Sequence, residues 1–100
     1  MFQGKRYVTH GVIEKVPIGV QGFLWSLVDN LAARHEVELD YLQVFELGQA
    51  ENGGQQIIHK QEVPEYHAVY QFDKVENPLN VKLYAIDDGS YCTMLLPSER

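Results

Sequence analysis

The chain reads as an α+β domain: one amphipathic helix packed on a curved, mainly antiparallel sheet of about six strands, in the order β-α-β-β-β-β-β. Three observations predict this. The first is the segment from Val81 to Leu96, where Asp88-Gly89 separates two runs rich in β-formers, a strong hairpin signal. The second is a stripe of apolar residues at helical spacing between Gly19 and Arg34. The third is a succession of short β-rich runs after it, separated by Gly, Asn and Pro.

Arg6–Ile13 opens the chain as a strand of β-branched and aromatic residues, and Gly11 within it suggests a bulge or a close neighbour. Pro17 closes that strand and stands near a helix start, where its missing N–H is harmless. In the helix, Val20, Phe23, Leu24, Leu27, Val28 and Leu31 share one face. At ~1.5 Å per residue the segment is roughly 24 Å long, enough to cover one face of a sheet. Strands follow at Asp40–Leu47, Gln55–Gln61 and Ala68–Phe72, with Gly48–Gly54 a glycine-rich loop and Pro64 and Asn77-Pro78 as breaks. With Asp88-Gly89 as the turn, the last hairpin pairs Ile86 with Tyr91, Ala85 with Cys92 and Tyr84 with Thr93. Alternation then gives it two unlike faces. Val81, Leu83, Ala85, Cys92, Met94 and Leu96 form an apolar face for the core, while Lys82, Tyr84, Ile86, Tyr91, Thr93 and Leu95 form an amphipathic one. Pro97 ends the last strand ahead of a frayed terminus.

The 100 residues, 1–100, make one domain, long enough for a core without disulfides. Fourteen acidic against eight basic side chains give a net charge of -6. Only Lys5-Arg6 forms a basic pair, so nucleic-acid binding is disfavoured, and an acidic DNA mimic stands as an alternative. The single cysteine, Cys92, forms no internal disulfide and is expected to be packed and inert. No leader-like segment and no apolar run of about 20 residues is present, so no membrane partner is expected and the expected location is cytoplasmic.

The densest polar segment is His59–His67. Pairing across an Asn52-Gly53 tip would set Glu46 opposite His59, making Glu46, His59, Glu62 and His67 a candidate polar cluster for proton transfer or a metal. Its spacing matches no established zinc or hydrolase pattern, so no catalytic residue, metal ligand or cofactor is assigned. His10, on the strand between Val8 and Val12, reads as a structural histidine. Tyr84, Ile86, Tyr91 and Thr93 make the better binding surface, and Trp25, beside the helical stripe, is either a core edge or an interface anchor.

Lys5-Arg6-Tyr7, Leu24-Trp25-Ser26-Leu27, the block Glu38–Leu47 (ELDYLQVFEL), Ile57-Ile58-His59, Gln61–Tyr66 and Asp87–Leu96 resemble a short bacterial family catalogued as "domain of unknown function 960". The resemblance runs over almost the whole chain. It implies a small cytosolic protein of Gram-positive bacteria and implies no activity, cofactor or site.

Several strands carry apolar groups on both faces, and one helix covers one face. Either the sheet curls around a second core or a partner covers it, and a two-fold homodimer is the simplest partner. The expected function is therefore a non-enzymatic binding domain that engages itself, another protein or a small ligand through its sheet. The alternatives are a small hydrolase or metal-dependent enzyme using His59, Glu62 and Glu46, or the DNA mimic.

Overall fold

The computed structural model describes residues 1–73 and 75–100. Six strands, β1 (Lys5–Val8), β2 (Leu42–Gln49), β3 (Gln55–Gln61), β4 (Tyr66–Phe72), β5 (Val81–Asp87) and β6 (Tyr91–Leu95), form one open sheet in the order β1-β6-β5-β2-β3-β4. All neighbours are antiparallel except β1 and β6, which run parallel. Two helices, α1 (His10–Lys15) and α2 (Ile18–Ala33), lie on one face.

The predicted helix is α2, shifted by one residue. Leu24, Leu27, Val28 and Leu31 of its stripe are buried, whereas Val20 and Phe23 are only partly so. They meet Phe45 and Leu47 of β2, Ile57 of β3, Leu83 and Ala85 of β5, and Cys92 and Met94 of β6. Cys92 is fully buried, and burial raises its thiol pKa.

The expected first strand is cut in half. Thr9 leaves the sheet as an N-cap, its hydroxyl accepting from the Val12 N–H at 3.3 Å, and His10 begins a helix. That helix buries Val12 and its cap Val16 while Glu14 between them is exposed, whereas alternation would put all three on one face. Gly11 is helical, not bulged, but it does have a close neighbour: a Cβ there would lie 2.7 Å from the Glu99 carboxylate. His10 is exposed and pairs with Glu14 at 3.0 Å on the helix surface.

Both chain ends are tied down. Glu99 accepts from the Thr9 hydroxyl (2.6 Å), the Leu96 N–H (2.8 Å) and the Gly11 N–H (3.2 Å), and the Thr9 bond above all holds its pKa low. At the other end Phe2 is buried in the core with a left-handed φ of 61°. Its N–H donates to the Asp87 carboxylate at 2.6 Å and its carbonyl accepts from Arg6 at 3.1 Å. Burial works to raise the Asp87 pKa, but the N–H groups of Phe2 and Gly89 outweigh it and the net shift is downward. A conformation this unfavourable for a bulky residue is held only by what surrounds it.

The hairpin register differs from the expected one by two residues. Tyr84 pairs with Leu95, Ala85 with Met94, Ile86 with Thr93 and Asp87 with Cys92. The loop is Gly89-Ser90, with Gly89 at φ +97°, because Asp87 accepts from the Gly89 N–H at 2.7 Å and Asp88 donates to the Tyr91 carbonyl. An even shift leaves both faces as expected.

Phe2→Ala is expected to destabilise the domain by about 3 kcal/mol, the lower end for an aromatic core truncation because the strained backbone relaxes. Urea unfolding followed by Trp25 fluorescence measures it.

Candidate functional site

Three regions bear on function: a buried polar layer, the sheet face without helices, and a cleft beneath the start of α2.

The polar layer lies on the helix side of the sheet, where Gln43 of β2 and His59 and Gln61 of β3 point inward in phase with Phe45 and Ile57. All three are buried. The Gln43 amide nitrogen donates to Gln61 Oε1 (2.7 Å) and the Asp40 carbonyl (2.9 Å), so its oxygen is left to accept from His59 Nε2 at 2.6 Å. His59 is therefore neutral with its proton on Nε2. Gln61 in turn accepts from the Asp40 N–H (3.0 Å) and donates to the carbonyls of Glu38 (2.8 Å) and Pro64 (2.9 Å). The network fastens the connection entering β2 and the turn between β3 and β4 to the sheet. The His59 ring stacks on Phe45 at 4.8 Å and meets the edge of Tyr66 at 5.5 Å. Its Nδ1 is the buried side-chain polar atom without a partner among the described residues. Protonation would put an uncompensated cation there, and burial lowers the His59 pKa to about 4.

The candidate polar cluster is not assembled. β2 and β3 pair one residue away from the expected register, so Phe45, not Glu46, lies opposite His59, and Glu46 lies opposite Ile58. A shift of one places Glu46 on the far face. There it binds Lys60 at 2.9 Å. His67, opposite Lys60, is also on the far face and exposed, and Glu62 stands in the turn beyond β3. Among the described residues no three His, Cys, Asp or Glu side chains converge as a metal site. The hydrolase or metal reading from His59, Glu62 and Glu46 therefore has no common site to act from.

The helix-free face carries the expected tyrosine set, arranged in rows across the strands. Lys5 and Tyr91 make the first, Tyr7, Thr93, Ile86 and Leu42 the second, and Leu95, Tyr84, Val44, Lys60 and His67 the third. Lys82, Glu46, Ile58 and Val69 follow. Tyr7, not singled out from the sequence, meets Tyr91 edge to face at 5.7 Å. Tyr84 lies between the cations of Lys82 and Arg100, at 5.7 and 5.6 Å from its ring, and Leu42, Val44 and Leu95 are buried on this side. The sheet is open, with β1 and β4 at its edges. Trp25 belongs to the other side: partly buried against the core, it lies under the Arg6 guanidinium at 4.9 Å, and Arg6 is ion-paired with Asp29. Asp29 is the chief reason the Arg6 pKa is raised.

The cleft has a volume of about 410 Å³ and lies between the first turns of α2 (Gly19, Val20, Phe23), β3 (Ile57), the end of β4 (Phe72) and the segment after it (Val75, Leu79). The sequence signal for it was present but unread: Gly19, Gly22 and Val20 begin a helix whose buried residues start only at Leu24. No helix of the described residues is long and apolar enough to cross a membrane.

His59 gives a pH prediction. Its folded pKa is below its unfolded one, so its contribution is complete above about pH 6.5 and is lost as pH falls toward 4. The loss is about 3 kcal/mol over that window. In His59→Leu, urea titrations between pH 4 and 6.5 are expected to show a flattened slope, even though the leucine leaves the Gln43 oxygen unpaired.

A search of curated proteins finds no match. Among solved structures, "Crystal structure of the protein of unknown function from Enterococcus faecalis" is similar, with a TM-score of 0.80 and 27% identity over 97% of this chain and 91% of that one. The family described as "Staphylococcal protein of unknown function (DUF960)" matches residues 5–99, and the chain belongs to it.

Proposed function

We propose that this protein is a bacterial, cytoplasmic interaction domain that acts as a homodimer through the helix-free face of its sheet. The observation that carries the reading is the contrast between the two faces. Both are built from apolar and aromatic residues, yet the helices lie on one of them only. On the other, Tyr7, Tyr91 and Val69 are 51%, 45% and 47% exposed.

A second copy fits this surface for two reasons. The half containing Tyr7, Tyr91, Thr93, Ile86 and Leu42 carries no charge apart from Lys5 at its margin, and the charges of the other half are partly compensated, Glu46 facing Lys82 and binding Lys60. The face is also large enough. Six strands about 4.8 Å apart and about five residues deep present roughly 500 Å² per copy. A face-to-face pair then covers on the order of 1,000 Å², the scale of specific association. The same tyrosines suit a protein or small ligand in place of the second copy, each offering contact area with a polar tip. The DNA-mimic reading lacks such support, because Glu51, Glu62, Glu65, Glu76 and Asp88 are spread over four connections between strands, with only Glu62 and Glu65 sharing one.

Sedimentation velocity is expected to give the mass of two chains. Tyr91→Lys is expected to weaken the pair by about tenfold or more, as for an interface anchor, while the single chain still folds because Tyr91 is half-exposed and outside the core. A wild-type protein that remains a single chain at high micromolar concentration would contradict the proposal.

A further inference from the structure

We infer that the cleft beneath the N-terminal turns of α2 is a binding site for a free, single-chain alkyl or acyl compound, whose hydrocarbon tail enters between α2 and the ends of β3 and β4. At about 410 Å³ the cleft is in the range of small-molecule sites and larger than one partner side chain would fill.

The chemistry of the wall selects the tail. Val20, Phe23, Ile57, Phe72, Val75 and Leu79 make it almost wholly apolar. Its buried polar member, Gln55, is spent on the chain itself. The Gln55 amide nitrogen donates to the carbonyls of Gly48 (2.9 Å), Gln56 (3.1 Å) and Leu79 (3.0 Å), and its oxygen accepts from the Leu79 N–H at 2.6 Å. The other polar member, Asn77, is exposed. Planar, heteroatom-rich ligands are oriented by a few placed polar groups, and among the described residues none is free in the depth of this cleft. What such a wall rewards is methylene surface removed from water. Phe23 and Phe72, edge to face at 5.3 Å, flank the space.

Gly19 stands on the wall of this space. A glycine lowers helix stability relative to alanine, and it is usually retained for a left-handed φ or a close approach. Gly19 has neither: its φ is not left-handed, and a Cβ built on it meets nothing within 4 Å. Gly22, one turn on and outside the cleft, is the same in both respects, so what sets Gly19 apart is its place on the wall, where an added side chain would take up space.

The test is a calorimetric titration of the full chain with the 1-alkanols from hexanol to dodecanol, for the wild type, Gly19→Leu and Gly22→Leu. Each variant replaces a helical glycine whose Cβ position is free, so both are expected to keep or raise the thermal midpoint. Gly19 lines the cleft and Gly22 does not. Saturable one-to-one binding is expected in the wild type and in Gly22→Leu, tightening about fourfold per methylene until the cleft is full. In Gly19→Leu it should be lost. Absence of saturable binding by the wild type, or equal binding by the two variants, would overturn the assignment. Flotation with phosphatidylcholine vesicles without saturation by the free alcohols would point to a lipid surface and overturn it as well. The sedimentation behaviour of Tyr91→Lys is independent of all these outcomes.

Discussion

Every strand of this sheet sends alternate side chains to opposite sides, while the helices form one layer only. That asymmetry governs the rest of the molecule. On the covered side, α2 meets the strands through Leu24, Leu27, Val28 and Leu31, and α1 adds Val12 and Val16. On the uncovered side the C-terminal turn covers part of the apolar surface. The C-terminal turn brings Arg100 over Tyr84 and within reach of the Tyr41 hydroxyl at 3.5 Å, and Leu95 beneath is buried. Past that reach, Tyr7, Tyr91 and Val69 remain in water.

The covered face is itself graded along α2. Its later turns lie on the apolar core, and beyond that core the space is filled by Gln43 and Gln61, each held by several bonds, and by His59, held by one. The opposite end has no such layer. There α2 starts with Ile18, Gly19 and Gly22, Gln55 turns its amide to the backbone, and an apolar space remains. One end is thus rigid through polar bonds and chemically silent. The other is apolar and open.

Much of this was legible in the sequence. The spacing of Val20 to Leu31 marked α2 to within a residue, and the apolar alternation marked the core faces of β5 and β6. Phe2 was not legible, because its burial depends on an acceptor at Asp87, far along the chain. Nor was α1: Thr9-His10-Gly11 contains two weak helix formers, and the helix is decided by the Thr9 cap and by Glu99 reaching back to it. The parallel pairing of β1 with β6, which brings Tyr7 to Tyr91, needs a crossover that local patterns do not encode.

The sharpest contrast is between two loops. Both hairpin registers inferred from turn residues were displaced, one by two residues and one by one. At Asp87–Tyr91 the even shift changed partners but not faces, so the tyrosine surface survived. At Ala50–Gly54 the shift was odd. There the Ala50 N–H donates to the Gly54 carbonyl at 2.8 Å and the Gly53 N–H donates to the Ala50 carbonyl at 2.9 Å, closing a five-residue loop around Gly53 at φ +85°. One residue of loop length thus moved Glu46 and His59 to opposite sides of the sheet and removed the only candidate for acid–base chemistry. A strand surface can be read from sequence through an error of two residues. A cross-strand pair of side chains cannot be read through an error of one, and this is why the tyrosine face was legible here while the position of Glu46 relative to His59 was not.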